Sequence, residues 1–86
     1  MRIWGKLWKE NRLVRDTVIE RDEIDTRTHK IFNALDDICY EFDLSRPIWL
    51  DCTITEFKQF GKCRFHADNF IDDIDFDYLE FHIIEE

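Results

Sequence analysis

The carboxylates of Asp73, Asp75 and Asp77 occupy alternate positions, with Asp72 just before them and Glu80 just behind. Oxygen donors at that spacing open a calcium loop, in which positions one, three and five surround a hard cation. Such a loop also needs glycine at position six, for the sharp turn, and a bidentate glutamate at position twelve. Counted from Asp73, those places hold Tyr78 and Ile84, so both geometric requirements fail. What remains is an acidic edge facing solvent or a partner.

Cys63 and His66 have the two-residue gap of a chelating pair. Structural zinc takes two such pairs, and neither Cys39, Cys52 nor His82 supplies the second. Small buried cysteines are the simpler reading. The same two residues form a nucleophile–base pair if Cys63, between Lys62 and Arg64, is exposed enough to ionise. This defines one alternative, a small metal- or thiol-dependent enzyme. Ser45 is the only serine and Gly5 and Gly61 the only glycines, so no phosphate-cradling loop can be built in the usual way.

Arg2, Trp4, Lys6 and Trp8 share one face of a strand. Cations interleaved with aromatic rings suit single-stranded nucleic acid, the second alternative. The competing reading has the tryptophans covering the core while Arg2 and Lys6 lie along them.

A further group lies on a helix. Asn33, Asp36, Asp37, Tyr40 and Glu41 fall on the outer side of the segment 26–43, with Asp37 and Glu41 as like charges one turn apart. Arg27 and Lys30 sit at its N-terminal end and the acids toward its C-terminal end, an order opposed to the helix dipole. Helix stability alone does not favour that arrangement. It suits a basic protein partner, and a face that only keeps the chain soluble is the competing reading.

The elements that must hold these groups follow from periodicity. Residues 2–20 read as a β-hairpin turning near Asn11, which tolerates positive φ. Ile31, Phe32, Leu35, Ile38, Cys39 and Phe42 form one apolar stripe of a helix over 26–43, capped by Asp25 or Thr26 and ended by Ser45-Arg46-Pro47. Ile48-Trp49-Leu50 reads as a short extended segment that joins the sheet. Thr53 and Glu56 have capping-box spacing, which predicts a helix over 54–60 closed by Gly61, with Cys52 stapled to Phe57. Phe70, Ile71 and Ile74 follow helical spacing behind Asp68, and a period of two from Asp75 predicts a closing strand. The expected fold is α+β: a mainly antiparallel sheet packed by one amphipathic helix and two short ones.

With 86 residues there is one domain, and its 13 Phe, Trp and Tyr residues can supply a dense core. No apolar run is long enough for a signal peptide or a membrane span. Three widely spaced cysteines point to free thiols in a reducing cytoplasm. Charge is uneven: +2 over residues 1–30, −10 over residues 31–86, −8 in all. An excess of that sign disfavours phosphate-bearing partners and admits a basic one.

The stretches MRIWGK (1–6), ICYEFDL (38–44) with RPIWL (46–50), and DFDYLE (75–80) resemble those of an uncharacterised family of small acidic proteins from anaerobic Gram-positive bacteria. The resemblance implies a bacterial, cytoplasmic, single-domain protein and carries no site residues with it. The expectation is therefore a non-enzymatic acidic interaction module, or a nucleic-acid mimic, without cofactor. It would meet a basic protein through Asp36, Asp37, Tyr40, Glu41, Asp72, Asp73, Asp75 and Asp77.

Overall fold

A computed structural model describes residues 1–86. The alternation of Ile3, Gly5 and Leu7 with Trp4, Lys6 and Trp8 makes β1 (Arg2–Lys9), whose first set is buried. Glu10 and Asn11 both take positive φ, the geometry of a two-residue hairpin turn, and β2 (Arg12–Glu20) returns beside β1. One register shift, between Leu7 and Trp8, interrupts that pairing.

Thr26 caps α1 (Arg27–Phe42), its hydroxyl accepting from the His29 amide at 3.2 Å. The helix ends where Asp43 turns left-handed and the Leu44 amide reaches back to the Cys39 carbonyl at 2.8 Å. Then come α2 (Asp51–Phe60), β3 (Lys62–Phe65), a 3-10 turn (Ala67–Asn69) and β4 (Tyr78–Glu85). The sheet order is β2-β1-β4-β3, antiparallel throughout, so the fold is α+β. Both helices cover one face, and the other is open.

Four local expectations are corrected. Residues 48–50 pair with no strand; the Ile48 amide instead donates to the Asn69 carbonyl at 2.6 Å. The second helix starts at Asp51 with no side-chain cap, because Thr53 is buried inside it and Glu56 accepts from the Arg64 amide at 2.8 Å. Cys52 is consequently exposed in the first turn. Residues 70–74 form no helix, and regular pairing begins only at Tyr78.

The core joins Ile31, Leu35 and Ile38 of α1 to Ile3, Leu79 and Phe81 of the sheet. Trp49 stands against Phe57, Phe65 and Phe81 with ring centroids 5.0–6.2 Å apart. Phe32, placed in the apolar stripe by its spacing, is 43% exposed at the helix margin, while Ala34 is fully buried.

Gly5 sets the distance between the layers. A Cβ there would lie 2.8 Å from Cγ2 of Ile38. Gly5→Ala is expected to destabilise the fold by about 1–3 kcal/mol as α1 is pushed off the sheet. A lowered urea midpoint at unchanged slope is the readout, and wild-type stability would show that α1 moves freely.

Candidate functional site

The helix carboxylates come first. Arg46 donates its Nη2 to Oδ2 of Asp36 at 2.8 Å and forms an ion pair with it, Nε lying 2.6 Å from Oδ1. Arg21, just beyond β2, donates its Nε to Asp37 at 2.9 Å and adds a second bond through Nη2. Glu41 accepts from the Thr17 hydroxyl at 2.8 Å, and Arg15 donates to the Glu41 backbone carbonyl. Tyr40, 90% exposed, is the free member of the group. Three of the four proposed contact residues on α1 thus serve to tie the helix to its own chain.

The second acidic group lies between the 3-10 turn and β4. Phe70 and Phe76 are buried and meet edge to face at 5.8 Å, which pins both ends of the intervening loop. Asp77 secures its exit: its amide donates to the Trp8 carbonyl and its Oδ2 accepts from the Glu10 amide, each at 2.8 Å. Asp72, Asp73 and Asp75 are exposed, and no cationic nitrogen lies within 4.0 Å of any of them. Beside them Ile71 is 82% exposed. A held loop therefore presents three unmatched charges and one bare aliphatic side chain.

Strand parity separates the proposed thiol pair. In β3, Cys63 and Phe65 face the core while Lys62 and Arg64 face outward. His66, one residue past the strand, is exposed with its ring 5.4 Å from Tyr78. Burial, aided by the negative charge of Glu56, pushes the Cys63 thiol far above its ordinary range. Burial likewise raises Cys39, to about 11. Neither buried sulfur is a thiolate at neutral pH, and no three His, Cys, Asp or Glu side chains converge as a ligand set.

The open sheet face is organised in rows. Register aligns Val18, Trp4, His82 and Lys62, then Asp16, Lys6, Glu80 and Arg64. The second row alternates in sign. Trp4 donates its indole N–H to Asp16 at 2.9 Å, Trp8 donates to Glu80 at 3.0 Å, and the Lys6 ammonium lies 3.9 Å over the Trp4 ring. Lys6 also pairs with Glu80 at 3.3 Å, both side chains nearly buried. Burial pushes the Glu80 carboxyl up, but the Trp8 bond and the Lys6 charge outweigh it and leave its pKa below the ordinary value. The tryptophans are thus tethered over a satisfied ion pair, with carboxylates where a phosphate-binding platform needs cations. Comparison with protein-family models, with curated proteins and with solved structures finds no match to this chain.

Proposed function

We propose that the chain is a non-enzymatic, cytoplasmic interaction module that docks on a basic protein surface. The observation that carries this reading is the loop 71–75, where Asp72, Asp73 and Asp75 have no cation of their own chain beside them. Exposed charge of one sign speeds encounter with a complementary surface and rejects like-charged ones. Ile71 adds an exposed apolar side chain beside that charge. Because Phe70, Phe76 and Asp77 already hold the loop, little ordering entropy remains to be lost on docking. Asp36, Asp37 and Glu41 contribute at a distance through the overall −8 field, with Tyr40 the one unengaged side chain among them.

The test compares affinity capture from native lysate by three proteins. The loop variant Asp72→Asn/Asp73→Asn/Asp75→Asn is expected to recover about tenfold less of any basic protein that the wild type holds. The helix variant Asp36→Asn/Asp37→Asn should retain that partner while losing thermal stability. Wild-type capture should weaken as salt rises. Equal recovery by the loop variant and the wild type would remove this assignment.

A further inference from the structure

Arg27 opens α1 in a first turn that contains no acidic residue, and Lys30 follows it. The partial positive charge of the helix end is thereby reinforced rather than balanced. The same end borders a half-open cleft of about 260 Å³ between the two helices. Its apolar walls are Ile31 and Phe32 of α1, Ile54 and Phe57 of α2, and Trp49 from the segment between them. The charged residues that line it, Arg27 and Lys58, are both cations, in a chain whose net charge is −8.

Two details point to what belongs there. Arg27 already holds a carboxylate in two-pronged fashion: Nε and Nη2 donate to the two oxygens of Glu86 at 3.2 and 3.1 Å. Lys58 has no carboxylate within 4.0 Å. A cation left unmatched on the wall of an apolar cleft, as Lys58 is, can fix the orientation of a small ligand.

We infer that this cleft binds a small amphipathic carboxylate, its alkyl or aryl tail between the two helices and its head at Arg27 and Lys58. A volume of about 260 Å³ lies just below the roughly 300–1,000 Å³ of pockets that take drug-sized ligands. That matches a medium-chain fatty acid or an arylalkanoate and is too small for a two-chain lipid. Glu86 competes with the ligand head for Arg27. The site is separate from the acidic loop and stands without it.

The test follows the Trp49 indole resonance by NMR in the full chain during titration with sodium octanoate, octylamine or octanol. Octanoate should shift Trp49 and Ile54 saturably and bind about tenfold more tightly than octylamine, because a charge-assisted bond is exchanged for repulsion. Glu86→Gln should tighten octanoate binding severalfold by freeing Arg27, and Lys58→Gln should weaken it by a similar factor. Both residues are exposed, so their variants fold. Octylamine binding as well as octanoate would overturn the inference. So would an unmoved Trp49 resonance at about 10 mM octanoate, beyond the weakest affinity such a site would have.

Discussion

Phe81→Ala is expected to cost about 3–5 kcal/mol, the upper range for truncating a buried aromatic side chain. Phe81 is fully buried at the middle of β4, opposite Gly5 on one side and Cys63 on the other. Its ring centre lies 5.6 Å from Phe57 and 6.2 Å from both Phe65 and Trp49. Rings are stiff, and Gly5 has no side chain to swing into the gap, so the cavity left behind cannot collapse. A domain of 86 residues has about 4–13 kcal/mol of stability in all. The loss is therefore about a quarter of the total or more, and melting should fall by about 12–40 °C. Phe81→Leu retains most of the volume and should cost about 1–2 kcal/mol. Urea unfolding of the two variants decides the matter. Equal midpoints for Phe81→Ala and wild type would mean that the aromatic cluster is not the centre of the core.

Where one element imposes its own period, the sequence displayed it. The two faces of β1 follow from Ile3, Gly5 and Leu7 alone, and Asn11 marks the hairpin turn. The α1 stripe is equally plain, since a helix of 16 residues repeats its apolar side several times. Phe32 lies at the margin of that stripe, where periodicity does not distinguish it from the buried positions and Trp49 is its aromatic neighbour.

Short elements depend on distant partners and gave no such signal. β3 is four residues with two apolar side chains, and its identity as a strand comes from pairing with β4. Thr53 and Glu56 have the spacing of a local cap, yet the Thr53 hydroxyl is taken by Asn69 and the Glu56 carboxylate by Arg64. Phe70, Ile71 and Ile74 have helical spacing, but a helix that short is marginal without packing along one side. Here the core takes Phe70 and Phe76 and leaves Ile71 outside.

The candidate site divides in the same way. The unmatched charges of Asp72, Asp73 and Asp75 were visible as a run without nearby Lys or Arg. On α1, Asp36 and Asp37 are matched by Arg46 and Arg21, 10 and 16 residues away, and Glu41 accepts from Thr17, 24 residues away. Neighbour rules at three and four residues cannot see them. Cys63 and His66 have the spacing of a pair, but once 62–65 is a strand their three-residue separation sends them to opposite sides. The cleft between α1 and α2 had no sequence signature beyond the misplaced cations of the first helical turn.

Asn69→Leu, close in shape but without polar atoms, is expected to destabilise the fold by about 3–4 kcal/mol. Asn69 is 3% exposed and joins three parts of the chain. Its Oδ1 accepts from the His66 amide at 2.9 Å, closing the turn after β3. Its Nδ2 donates to the Ile48 carbonyl at 2.8 Å and to the Thr53 hydroxyl at 3.0 Å, holding the segment before α2 and α2 itself. Leucine removes all three bonds at once and leaves their partners without replacement, at about 1–3 kcal/mol for each group that stays buried. The bonds share one side chain, so the costs do not simply add. Thr53→Val alone should cost about 1 kcal/mol, since it strips one bond from an otherwise satisfied amide. In the Asn69→Leu background the same change should be nearly neutral, because both partners are then apolar. A coupling of at least about 0.5 kcal/mol in that double-mutant cycle is the expected result, and strict additivity would show that the Asn69–Thr53 bond contributes nothing. Because Ile48 is Trp49's neighbour in the chain and Asn69 is Phe70's, loosening this junction should weaken both octanoate binding in the cleft and partner capture by the acidic loop.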